Sequence, residues 1–269
     1  MLPEDRKTRL DAAQFVALLL ETLLIGVFYV LLIQTFEVLR FRAKTRRESF
    51  FRPMTFCALA LLGTITARWI TDISRIFGAF ILPEKSYSVQ AGEPNPAEIA
   101  FLKLSDPNFV AASAMYTSST VLGDGFMIYR LWLVWGKNKL IIIPPILLLW
   151  GIAITGAVVA YRFEKYDIAI LVSNGPWIIS SYLSTFLCNL YSTALIALKI
   201  SLSGRELRKA HTIPALDLAK VAEILVESAA LYSCCLIISL ATYLSGSGVN
   251  VHFIVVSMTN PIIVSSRLY

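Results

Sequence analysis

From Leu140 to Tyr161 the chain carries no charged residue. A helix needs roughly 20 apolar residues, at about 1.5 Å each, to cross the ~30 Å hydrocarbon core of a bilayer. This run meets that length, and similar apolar runs recur before and after it. Composition agrees: 57% of the 269 residues are hydrophobic and 16% are charged, against about 25% charged in an ordinary soluble domain. The pattern predicts an all-α, polytopic membrane protein, one seven-helix bundle occupying 1–269 as a single domain. Its spans are expected at about 12–34, 54–77, 108–135, 140–161, 176–198, 219–244 and 249–266.

The punctuation between runs supports this division. Arg6, Lys7 and Arg9 imitate the start of a signal peptide, but the apolar run that follows is too long and no small-residue cleavage site closes it. Pro53 opens the second run, and Pro144-Pro145 falls in the first turns of the fourth, where proline is least harmful. Segment 83–107 is polar, acidic and broken by prolines, whereas Gly136-Lys137-Asn138-Lys139 is a tight turn.

The net charge of +6 does not point to nucleic acid. The basic residues crowd into short connecting segments, six of them between Arg40 and Arg52, as membrane topology demands. Placing the amino terminus outside and the carboxyl terminus in the cytoplasm gives the inner segments roughly twice as many Lys and Arg as the outer ones. The plasma membrane is the expected location, with an internal membrane as the alternative. Cys57, Cys188, Cys234 and Cys235 all lie inside apolar runs, which predicts small core residues rather than disulfides or metal ligands.

Ionisable residues inside these runs carry the functional interest. Each costs about 2.5–3.5 kcal/mol at the centre of a span, so it must face protein or trapped water. Val121 to Lys139 holds two, Asp124 and Arg130, and is read as the inner half of a central helix. Arg130 lies at a depth similar to Glu223 and Glu227 of the sixth run. A cross-helix ion pair there would be a switch; a static clamp, or Arg130 reaching to lipid phosphates, is the alternative. Arg68, Asp72 and Arg75 fall on one face of the second helix at spacings of four and seven. With Glu21 they form an intramembrane charge cluster, while Asp124, at a depth similar to Glu21, is a further ion-pair candidate beside Arg130, Glu223 and Glu227. Arg68 balancing the buried acids is the economical account; ion or proton handling is the other.

Trp69, Tyr116, Trp177, Tyr182, Tyr243 and His252 occupy the outer halves of their runs. Together with Arg68 and Asp72 they can line a ligand cavity, although aromatics also gather at membrane interfaces without a ligand. Asn260-Pro261 predicts a kink in the seventh helix; the N-P-x-x-Y pattern of rhodopsin-like receptors fails at Val264. The last run has no Lys to anchor a retinal. His211 and His252 stand far apart, and no P-loop or nucleophile–base set is present, so no enzyme, no metal and no cofactor is expected.

Three stretches carry a resemblance: D-G-F-M-I-Y-R-L-W-L-V-W-G-K from Asp124, E-I-L-V-E-S-A-A-L-Y-S from Glu223, and N-P-I-I-V-S-S-R-L from Asn260. Together they resemble a set of uncharacterised seven-helix membrane proteins of basidiomycete fungi. The matching positions are Asp124, Arg130, Trp132, Glu227, Ser228, Tyr232, Pro261 and Arg267. The resemblance implies a receptor-like seven-helix bundle with no established activity. One departure is the stop two residues after Arg267, which leaves little tail for phosphorylation.

The expected function is therefore receptor-like: sensing a small or lipid-like external ligand, with a cytoplasmic signalling partner reading the basic loops at 40–52 and 199–218. The partners are the bilayer, the ligand and that signalling protein, with no nucleic acid. An ion, proton or small-solute transporter is the alternative, as is a non-catalytic structural membrane protein.

Overall fold

The computed structural model describes residues 10–46, 53–81, 106–165, 175–209, 215–244, 254–259 and 261. Among these there is no strand. The helices are α1 (Leu10–Arg46), α2 (Pro53–Ile81), α3 (Pro107–Val134), α4 (Lys139–Lys165), α5 (Gly175–Lys209) and α6 (Ala215–Leu244). Residues 254–259 are helical again. Segments 47–52 and 210–214, together with Asn260 and His252, lie outside the described residues.

Among the described residues five helices are long and apolar enough to cross a membrane, over Ala12–Val38, Thr55–Phe80, Lys139–Phe163, Gly175–Ser203 and Glu223–Leu244. The third helix is long enough but not among them. Packing explains its polarity. It lies against α2, α4 and α5, so its Ser119, Thr120, Gly123 and Asp124 are buried in protein and need not be apolar. The exposure pattern inverts that of a soluble protein. Leu140 is 75% exposed and Phe56 72%, while Glu21, Arg68 and Asp124 are buried. Apolar outer faces of this extent fit a multi-pass integral membrane protein. Cys234 belongs to that outer face and not to the core expected for it; Cys188 is buried and the other two are half-buried.

The first two helices pair antiparallel along two stripes. On α1 the buried positions are Ala13, Ala17, Glu21, Ile25, Phe28 and Leu32; on α2 they are Ala58, Leu61, Ile65 and Arg68. Spacings of three and four keep each set on one helix face. Two polar ties fix the register. Trp69 Nε1 donates to Thr22 Oγ1 at 2.9 Å. Tyr29 Oη meets Thr66 Oγ1 at 3.0 Å. Thr66 already gives its proton to Leu62 O, so Tyr29 is the donor in that pair.

Both ends of α3 are locally encoded. Asp106 accepts from the Asn108 N–H at 3.2 Å, and Pro107 follows it as the first helical residue. At the other end Lys137 N donates to Trp132 O and Gly136 N to Leu133 O. Gly136 has φ of 63°, so the turn is a Schellman closure, the conformation glycine adopts without steric cost. Asn138 Oδ1 then accepts from Leu140 N and starts α4.

Two helices run further than their apolar stretches. The first continues to Arg46, so part of the basic segment 40–52 is helix and not loop, and α5 continues to Lys209. Inside α4, Pro145 has no N–H to offer the Ile141 carbonyl four residues back. Tyr191 of α5 fills that gap, its hydroxyl donating to Ile141 O at 3.2 Å. A neighbouring helix thus satisfies the carbonyl that proline releases, which makes proline tolerable at this depth.

Candidate functional site

A cavity of about 500 Å³ opens where α1, α3 and α5 begin and α2, α4 and α6 end. Small-molecule pockets span roughly 300–1,000 Å³. All six of these helices contribute to its wall alongside the 254–259 segment, which brings Val256 and Ser257. The apolar wall includes Ile152, Val159, Phe163 and Leu236, and the polar wall includes Arg68, Asp72, Arg75, Tyr116, Tyr182 and Tyr243.

The charged side of the cavity is an ordered cluster. Arg68 continues the α2 stripe that begins with Ala58, Leu61 and Ile65, so helical register carries it into the bundle. Its Nε lies 3.5 Å from Glu21 Oε1 and 3.3 Å from Asp72 Oδ2. Glu21 is 1% exposed because it occupies the α1 stripe facing α2. The Arg68 guanidinium also sits over the Tyr116 ring, 5.3 Å from its centroid. Arg68 is the shared counter-charge of both acids, and without it each would be an uncompensated buried charge. Arg75, two turns further along α2, lies over Phe109 at 4.8 Å.

The six cavity candidates expected from the sequence divide. Tyr116, Tyr182 and Tyr243 line the cavity. Trp69 does not: one residue beyond Arg68, it is turned about 100° around the helix, towards Thr22 on α1 and the cluster around Ile25 and Phe28. Trp177 packs beside Val159 and Phe163 under the Arg162 guanidinium. His252 lies outside the described residues.

At the opposite end the interior is apolar, built on Met127, Leu131 and Ile196. Arg130 is half-buried, its guanidinium 4.6 Å from the Phe126 ring centroid. Glu223 and Glu227 are exposed, and among the described residues no ion pair joins either of them to Arg130. Helix geometry gives the reason. Tyr232 and Leu236 turn the inner face of α6 into the core. At about 100° per residue, Glu223 then lies roughly 180° and Glu227 roughly 140° around from Tyr232. Asp124 is buried one turn below Thr120 and is not part of the cavity lining. Pro261 is buried, while Asn260, its partner in the expected kink, lies outside the described residues.

The polar stripe on α5 runs inward from the cavity. Ser181 and Thr185 line it. Deeper in, Cys188 Sγ approaches Pro145 O at 3.9 Å. Asn189 Nδ2 donates to Ala229 O at 3.3 Å and to Ser233 Oγ at 3.1 Å, tying α5 to α6. Near the apolar end Trp135 Nε1 donates to Leu195 O at 3.2 Å. Sequence reasoning did not find the Tyr191 or Trp135 ties. The signal for Tyr191 was present in part, because any helical proline frees the carbonyl four residues before it.

Fold and site together define a class: a helical protein fit to cross a membrane several times, with a ligand-sized cavity at one end of its bundle. Comparison with protein-family models, with curated proteins and with solved structures gives no match to this chain.

Proposed function

We propose that this chain is a receptor-like, seven-helix membrane protein, oriented with its amino terminus outside, that binds a small or lipid-like ligand. The observation that carries the reading is the cavity of about 500 Å³ at the end of the bundle where α1 begins. Under the charge bias of the connecting segments that end faces outward. It combines apolar walls with a few convergent polar groups, as small-ligand sites do. The opposite end is filled by Met127, Leu131 and Ile196, which favours a blind pocket over a path across the membrane. The basic stretches 40–52 and 199–218 lie on the inner side in this orientation and are the proposed contact for a cytoplasmic signalling partner. The proposed kinship is with the receptor-like basidiomycete proteins that Asp124, Arg130, Glu227 and Tyr232 resemble.

Transport is the second reading, and one observation favours it. Among the described residues Asn189 Oδ1, Ser192 Oγ and Thr193 Oγ1, buried below the cavity, have no hydrogen-bond partner, a polar lining of the kind a permeation route uses. Proteoliposomes separate the two. The receptor reading expects amphiphiles to raise the unfolding temperature of the reconstituted protein with no ion or proton flux. Flux that Asn189→Leu abolishes would establish transport instead. Alkylation of a cysteine placed at Asn138 tests the orientation: the reading requires labelling only after the cytoplasmic face is opened.

A further inference from the structure

The cavity's own chemistry narrows its ligand. We infer that it takes an uncharged, largely apolar molecule carrying a hydroxyl group; this rests on the ligand-binding reading above. Among the described residues, the cations lining the cavity are matched in number by the acids ion-paired with Arg68. Arg68 and Arg75 supply two cations, and Asp72 and the Glu21 carboxylate held by Arg68 supply two anions. Asp124 is sealed from the cavity at 1% exposure. A ligand bringing a net charge into this low-dielectric end would unbalance the set and bind more weakly than an uncharged one.

Hydrogen-bonding capacity then selects the polar group. Thr117 Oγ1 donates to Ser113 O, Thr120 Oγ1 to Tyr116 O, and Thr242 Oγ1 to Ile238 O. Each hydroxyl proton is held by its own helix, so these threonines offer the cavity a methyl group and an acceptor oxygen. Asp72 is likewise an acceptor, while Arg75 can only donate. A ligand hydroxyl suits this mixed rim, since it gives a proton to one side and accepts from the other. Ile152, Val159, Phe163 and Leu236 provide the surface for a hydrocarbon body.

The test compares decanol, decanoate and decylamine, which share a chain and differ in the polar end. Each is titrated against the full chain in lipid nanodiscs while the unfolding temperature is followed. The variants Ala112→Phe on α3 and Ser181→Phe on α5 put a ring into the cavity. If one of them does not fold, the other carries the comparison. Decanol is expected to raise the unfolding temperature of the wild type and not of the variants, with a midpoint concentration about tenfold or more below those of the charged analogues. If decanoate or decylamine is the tighter ligand and the variants block it, the cavity reading stands and the uncharged class is overturned. If none of the three distinguishes wild type from both variants, the cavity reading and this inference fall together.

Discussion

The Tyr191 hydroxyl donates to the Ile141 carbonyl across the α4–α5 interface, 3.2 Å away. That carbonyl is the one Pro145 leaves without its helical donor. In water the bond would be modest; inside a bilayer no solvent replaces it. Tyr191→Phe should therefore cost about 0.5–2 kcal/mol of stability. In a Pro145→Ala background the N–H returns and the same substitution should cost much less. Thermal unfolding of the four proteins of this cycle decides it. Equal losses from Tyr191→Phe in both backgrounds would show that the tyrosine does not serve the proline-released carbonyl.

Arg68 holds Glu21 and Asp72 together. Arg68→Ala leaves two acids inside the bundle with no cation between them, and a loss of about 3–5 kcal/mol is expected. Adding Glu21→Gln should recover part of that loss, because one buried charge is removed. Urea or thermal denaturation in detergent reads both. No recovery in the double variant would mean that Glu21 is not balanced by Arg68.

Gly156 of α4 packs directly against Thr117 of α3. A Cβ there would collide with the Thr117 side chain. Gly156→Ala should destabilise by about 1–3 kcal/mol through overpacking. Thr117→Ala, which removes the outer atoms of that side chain, should relieve most of the penalty. A Gly156→Ala protein as stable as wild type would sink the close-packing account.

Arg130 and Glu227 provide the contrast. Glu227 is exposed on the side of α6 turned away from the core, and Arg130 lies over Phe126. Alanine substitutions at the two positions should be additive within about 0.3–0.5 kcal/mol. Arg130→Ala alone should lose about 0.5–1 kcal/mol with the cation–π contact. A coupling energy well above that range would bring back the α3–α6 clamp as a switch.

Much of the helical framework was legible in the chain, and the reason is local. Apolar run length marks the five membrane-fit helices, Asp106-Pro107 and Gly136-Asn138 mark turns, and the i,i+4 spacing joins Arg68 to Asp72. These depend on hydrogen bonds and register within a few residues. The charge cluster was half legible: spacing put its cations on one face and offered Arg68 as the counter-charge for both Glu21 and Asp124, but only the register of α1 and α2 set Glu21 against it. What only the tertiary structure decided depends on rotation about helix axes, to which hydropathy is blind. Depth alone grouped Arg130 with Glu227 and Trp69 with Tyr116. The packed bundle turns Glu227 and Trp69 away and closes Tyr116, Tyr182 and Tyr243 around one cavity. The sequence by itself determined how long and how apolar the helices are; the tertiary structure decided which face of each looks inward, because that choice is made by neighbours far away in the chain.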